Sequence, residues 1–112
     1  MDEKKLIRNA SLWIQLHCCE KLQIEEVAEK YKMSKATFYR AWKRCFDIPP
    51  LQYSLDLRLQ AAAKLLLESP FPISRISRDS GFGGVDSFHS KFKQKFGVTP
   101  AEYRRSNRKN IT

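Results

Sequence analysis

The side chains of residues 34–46 that could do chemistry fall three and four apart: Ala36, Tyr39, Arg40 and Lys43, with Lys35 just ahead of them. On an α-helix that spacing gathers them on one face. Phe38, Trp42 and Cys45 or Phe46 fall on the opposite stripe. A guanidinium, an ammonium and a phenol along one helix face suit recognition of base edges and phosphates: arginine can donate two bonds to guanine O6 and N7, and lysine neutralises backbone charge. An enzyme would need a nucleophile, a base and a group to orient them, and no such set stands out. Gly81–Gly84 is not followed by the Lys-Ser or Lys-Thr of a phosphate loop. The chemistry within reach is binding, and it calls for no cofactor.

A second stretch repeats the first. Ile24, Val27 and Met33 map onto Ile73, Ile76 and Phe82 at a shift of 49 residues. After one extra residue near Gly84 the shift is 50, and Phe38, Trp42, Phe46, Ile48, Pro50 and Tyr53 map onto Phe88, Phe92, Phe96, Val98, Pro100 and Tyr103. The apolar positions agree while the residues between them differ, as expected of two copies of one fold with separate surfaces. Each copy reads as two short helices and a turn, the shape that sets one helix in a DNA groove.

The elements around these faces read as helix throughout, an all-α fold. Residues 3–19 carry Leu6, Ala10, Trp13, Ile14 and His17 at helical spacing. A short helix over 24–31 turns Val27, Ala28 and Tyr31 inward. Ser34 suits the N-cap of a helix over 35–46. Pro49-Pro50 ends that helix and opens a helix over 51–68, which has no Gly or Pro and spans about 27 Å. Helices over 73–80, 85–96 and 101–108 follow, with Gly81 suited to a left-handed turn, Phe88 and Phe92 inward, and a frayed tail at 109–112. The organisation expected is a first helix-turn-helix subdomain over 1–50, a connecting helix over 51–68 and a second subdomain over 69–112. Each unit is marginal as an independent core. Two groove-reading helices on one side of B-DNA need a separation of about 34 Å, which a rod of that length approaches.

Charge supports the same reading. The chain has 112 residues and a formal charge of +9. Residues 32–46 hold Lys32, Lys35, Arg40, Lys43 and Arg44 with no acid before Asp47, and Lys91, Lys93, Lys95, Arg104, Arg105, Arg108 and Lys109 crowd the C-terminal part against Glu102. Acids collect at Asp2, Glu3, Glu20, Glu25, Glu26 and Glu29. Segregated sign predicts a basic face and a polyanionic partner. Cys18, Cys19 and Cys45 are no disulfide framework and fit a reducing cytosol. Cys45 is expected to pack, and Cys18 and Cys19 to be inert, with oxidation sensing the alternative. No metal-ligand spacing and no membrane-length apolar run occurs.

The run Ile73-Ser74-x-Ile76-Ser77-x-x-x-Gly81-Phe82, then Phe88, Phe92-Lys93 and Phe96-Gly97-Val98-Thr99-Pro100-x-x-Tyr103-Arg104, resembles the DNA-binding domain of the AraC/XylS family of bacterial transcription regulators. The resemblance runs from about Ala10 to Arg105. It implies seven helices, two helix-turn-helix motifs joined by a long helix, double-stranded DNA read by the second helix of each motif, activation and often repression of transcription, and RNA polymerase as a protein partner. It also implies a cytoplasmic, nucleoid-associated protein. Most members carry a separate effector-binding or dimerisation domain and a minority stand alone; the expectation leans to a piece of a larger regulator, monomeric by itself, with a stand-alone regulator starting at Met1 as the alternative.

Carried over residue by residue, the base-reading positions of the first motif are Ala36, Tyr39 and Arg40, with Thr37 and Lys43 nearby; Ser34, Lys35 and Arg44 complete the set expected at DNA. In the second motif they are Asp86, Ser87, His89 and Ser90. The family often has a bulkier residue at Ala36 and a basic one at Ser90. The first motif is therefore expected to specify sequence, and the second to hold phosphates through Lys91, Lys93 and Lys95 with help from Arg104. The aromatic stripes read as core rather than as base-stacking platforms. Asp56, Arg58 and Asp79 read as structural pairing partners. A module that has lost DNA reading and docks a protein is the competing class, given Ala36 and Ser90. RNA duplexes fit poorly, because the deep A-form major groove does not admit a helix.

Overall fold

The computed structural model describes residues 2–20 and 23–108, the side chain of Arg108 excepted; the tail 109–112, with Lys109, lies outside the described residues. These residues form seven helices and no strand: α1 (Glu3–Leu16), α2 (Ile24–Lys30), α3 (Lys35–Cys45), α4 (Pro50–Glu68), α5 (Ile73–Asp79), α6 (Val85–Phe96) and α7 (Pro100–Arg108). None is long and apolar enough to cross a membrane. The chain divides into two compact units at Leu57 and Arg58. The division falls inside α4, so the helix read from sequence as a connector supplies each unit with part of its own core.

In the first unit α1 starts on Asp2, whose carboxylate accepts from the Lys4 amide at 3.1 Å. Its buried face is Ile7, Ala10, Ser11 and Ile14. That is rotated from the expected stripe: Leu6, Trp13 and His17 are only half-buried. Ile7, Ala10 and Ile14 join Ile24, Val27 and Ala28 of α2 and Phe38, Ala41 and Trp42 of α3 in one cluster, with Tyr53 and Leu57 of α4 packed against it. Fully burying an aliphatic or aromatic side chain stabilises by about 1.5–3 kcal/mol, so this cluster fixes which face of α3 points out. Cys45, expected to pack, is exposed. The helix ends there because Phe46 swings to an extended backbone, φ −133° and ψ 145°, and it is Phe46 that turns back onto Trp42, with ring centroids 4.3 Å apart.

The second unit repeats this packing. Leu59, Ala62 and Leu66 of α4, Ile76 of α5, Phe82, and Phe88 and Phe92 of α6 are buried. Phe92 lies 4.4 Å from Phe96 and 5.3 Å from Tyr103; in the first unit Trp42 lies 4.3 Å from Phe46 and 5.2 Å from Tyr53. The turn after α5 uses Gly81 at φ 88°, as its sequence suggested. Thr99 and Glu102 close a reciprocal cap at the start of α7, each side chain accepting from the other's amide at 3.1 Å.

Candidate nucleic-acid interface

The first recognition helix, α3, is anchored at its start by Ser34. The Ser34 hydroxyl accepts from the Thr37 amide at 3.2 Å and donates to Thr37 Oγ1 at 2.9 Å. Thr37 Oγ1 also accepts from Arg40 Nη2 at 3.4 Å, so the guanidinium lies back along the helix towards its N-terminus. Phe38, Ala41 and Trp42 are buried. At 3.6 residues per turn, the stripe opposite them is Ala36, Arg40 and Lys43, all exposed, with half-buried Tyr39 at its edge. The sequence-predicted face is thus brought together on one side of one helix.

Two of the predicted contacts of the first motif, Lys35 and Arg44, form ion pairs within the unit. Lys35 Nζ lies 2.8 Å from Glu25 Oε1. The hydrogen bond from Lys35 holds the Glu25 carboxyl below its usual range, and the same bond raises the Lys35 ammonium. Arg44 pairs with Glu3 of α1 and lies on the flank of α3 rather than on its outer stripe. Glu25 is a participant that sequence reasoning missed. Its partner is ten positions away across a turn, and only the acidic pair Glu25-Glu26 facing a basic stretch hinted at it.

The second recognition helix, α6, begins at Gly84 without a side-chain cap and ends at Gly97, whose φ of 80° stops the helix. With Phe88 and Phe92 inward, the outer stripe is Asp86, Ser90 and Lys93, all exposed, with half-buried His89 at its edge and exposed Ser87 on the far side. Lys91, Lys93 and Lys95, expected to act together, are all exposed but do not share a face. A step of two residues turns about 200° around a helix. Lys91 and Lys95 therefore flank the buried face while Lys93 stands on the outer stripe. Lys95 Nζ lies 5.9 Å from the Phe96 ring. Position 91 is the counterpart of Ala41, which is buried in the core with Ile7, Ala10 and Ile14.

Arg104 is engaged within its own unit. Its guanidinium is half-buried and donates to three carbonyls: Leu66 O at 3.1 Å, Ser69 O at 3.3 Å and Phe71 O at 2.7 Å. It closes the C-terminal end of α4 and the link to α5, where carbonyls lack intrahelical partners. A guanidinium engaged in this way clamps the end of α4 to the link before α5.

Comparison with known proteins agrees with this geometry. The model of a family described as "Helix-turn-helix domain" matches residues 27–106. The "Uncharacterized HTH-type transcriptional regulator YdeC" of Bacillus subtilis is 31% identical over 111 residues, which is 95% of this chain and 38% of that protein. The "RCS-specific HTH-type transcriptional activator RclR" of Escherichia coli is 35% identical over 81 residues, 72% of this chain and 28% of that one. The chain spans less than half the length of these curated relatives. Among solved structures, the C-terminal domain of AraT, a response regulator from Geobacillus stearothermophilus, superposes with a TM-score of 0.85 at 32% identity, covering 91% of this chain and 85% of that one. The DNA-binding domain of AdpA, solved with a target DNA, gives 0.87 at 26%, covering 93% and 94%. An AraC-type regulator from Chromobacterium violaceum gives 0.83 at 27%, covering 90% of each chain.

Proposed function

The chain belongs to the AraC family of transcriptional regulators, with the fold of that family's DNA-binding domain, and from that premise we propose that it binds double-stranded DNA with unequal recognition helices, α3 reading sequence and α6 chiefly holding the duplex. The observation that carries this reading is the outer stripe Ala36–Arg40–Lys43, held outward by the burial of Phe38, Ala41 and Trp42. Arg40 supplies a bidentate contact to guanine, Tyr39 a phosphate or thymine-methyl contact, and Ala36 a methyl contact only. Lys35 and Lys43 neutralise phosphate. On α6, Asp86 accepts from cytosine N4 or repels phosphate, Ser87, His89 and Ser90 offer short polar contacts, and Lys93 meets the backbone. The site read would be asymmetric, because the two stripes differ.

The wider role follows the family: regulation of transcription in a bacterial cytoplasm, with contact to RNA polymerase and with dimerisation supplied by a further domain. Selection of duplexes from a randomised library at two salt concentrations tests the reading. An enriched asymmetric motif supports it. Salt-sensitive binding without a motif removes sequence reading and leaves phosphate contact alone. No binding at low salt removes DNA altogether and favours a protein-docking module. For duplex DNA, log K falls against log salt with a slope of about −0.9 per phosphate neutralised.

A further inference from the structure

From the geometry of the turn that follows α1, we propose that Cys18 and Cys19 form a preorganised dithiol site for trivalent arsenicals. The two sulfurs lie 3.7 Å apart, and both side chains are half-buried and so open to solvent. The turn is fixed from both sides. The Glu20 amide donates to His17 O at 3.1 Å, making Cys18 and Cys19 the two central residues of a four-residue turn. His17 Nδ1 and Glu20 Oε2 are in direct contact across it. The His17 ring is stacked on Trp13, with centroids 4.2 Å apart. Each restraint lowers the ordering cost of binding at the pair.

The sulfur separation decides between two uses of the pair. A disulfide needs its sulfurs about 2.05 Å apart and Cα atoms about 4.4–6.8 Å apart. Adjacent residues have Cα atoms only about 3.8 Å apart, so closing a bond here distorts the peptide. Chelation asks much less. At a pyramidal trivalent centre the two bonds stand near a right angle, so thiolates about 2.3 Å from it lie roughly 3.3 Å apart, a few tenths of an ångström inside the separation observed, which a small side-chain rotation closes. A four-coordinate metal needs further ligands, and among the described residues no group of three or more His, Cys, Asp or Glu side chains is placed to hold one. An organoarsenical with one carbon substituent needs two sulfurs only.

The step balances without an oxidant. In phenylarsine oxide, taken as its hydrate, two As–OH bonds break and two As–S bonds form. Each thiol proton leaves with a hydroxyl as water, and arsenic stays trivalent.

The test is intact-mass spectrometry of the full chain with one equivalent of phenylarsine oxide and a large excess of glutathione, a monothiol competitor. The expected result is one phenylarsenic adduct per chain, removed by 2,3-dimercaptopropanol. Cys45→Ser should retain the adduct, and Cys18→Ser and Cys19→Ser should each reduce it at least tenfold. Cys19→Ala replaces the serine variant if that variant loses its helical circular dichroism. No adduct against glutathione, an adduct that survives in the Cys19 variant, or one lost in Cys45→Ser would each overturn the proposal.

Discussion

Lys32 and Gly81 stand at equivalent points of the two units, and both hold a left-handed backbone, φ 58° and 88°. The bonds around them match as well. Met33 donates to Ala28 O at 2.9 Å and Phe82 to Ser77 O at 3.0 Å, both spanning the same turn. The backbone path is therefore common to the two units, although only the second uses the residue suited to it. The aromatic packing after each recognition helix repeats within 0.1 Å at its two closest ring pairs. The units part company at helix starts, clamps and outer stripes: Ser34 against Gly84, Ser54 against Arg104, and Ala36–Arg40–Lys43 against Asp86–Ser90–Lys93. Shared positions hold the fold, and unshared ones assign each unit its own surface and its own means of holding helix ends.

The clamp is where breaking the symmetry should cost most. Arg104→Met removes a charged donor from three carbonyls in the second unit. Hydrogen bonds from charged groups contribute about 1.5–3 kcal/mol each in favourable cases, and orphaned carbonyls add their own penalty. A loss of about 2–3 kcal/mol in urea unfolding is expected. At the equivalent position Ser54 is buried and its hydroxyl finds no partner among the described residues. Ser54→Ala should therefore stay within about 0.5 kcal/mol of the parent. If Arg104→Met instead left stability unchanged and flattened the salt dependence of DNA binding, Arg104 would be a phosphate contact after all.

The next contrast is between the stripes. Arg40→Ala should relax selection at one base position by about 1–3 kcal/mol, roughly 5- to 150-fold, read by duplex selection with the variant. Ser90→Ala should change the selected motif little. Ser90→Arg sharpens the test, since it gives α6 the residue that α3 already has, and a new guanine preference in the second half of the site is expected. A motif that collapses with Ser90→Ala but survives Arg40→Ala would reverse the proposed division of labour.

Sequence made the repeat legible because apolar spacing is a local signal: Phe38, Trp42, Phe88 and Phe92 point inward as their three- and four-residue steps require. The outer stripes followed, since a helix with a known inside has a known outside. The exact rotation of α1 was not legible. Leu6, Ile7, Ala10, Trp13 and Ile14 offer two overlapping apolar stripes, and contact with α2 and α3 chose the one containing Ile7. Clustering in sequence also does not reveal that Lys93 stands apart from Lys91 and Lys95, because a two-residue step crosses the helix. Arg104 was opaque for a different reason: its partners are 33 to 38 residues away, and nothing in a basic C-terminal stretch marks one arginine as a clamp.

Helix starts allow a smaller exchange between the units. Ser34→Ala removes the α3 cap and should cost about 1 kcal/mol in thermal or urea unfolding. Gly84 has φ −157° and ψ 158°, an extended conformation open to any residue, and a Cβ there would meet nothing within 4 Å. Gly84→Ser should therefore supply the missing cap on α6 and gain a few tenths of a kcal/mol. A destabilised Gly84→Ser would show that the start of α6 is set by something other than capping.

The subtlest difference is one of pH. Hydrogen bonds from Thr99, first the backbone amide and then the side chain, hold the Glu102 carboxyl below its usual range. A group whose acidity is strengthened by folding stabilises the fold above its unfolded pKa, and that contribution fades as pH falls through the lower, folded value. The counterpart positions in the first unit are Pro49 and Gln52, and Gln52 donates to Asp56 at 3.0 Å instead of closing a carboxylate cap. Acidification should therefore loosen the start of α7 while leaving the start of α4 without a matching transition. The protection of the Thr99 amide, taken relative to its intrinsic exchange rate at each pH from 6 downward, should fall below the usual glutamate range, and Glu102→Gln should remove that pH dependence. The carboxyl is exposed, so the effect is small and local. A Glu102 carboxyl resonance titrating at or above the ordinary glutamate value would mean that the cap does not hold in solution, and that the two helix starts are more alike than their sequences suggest.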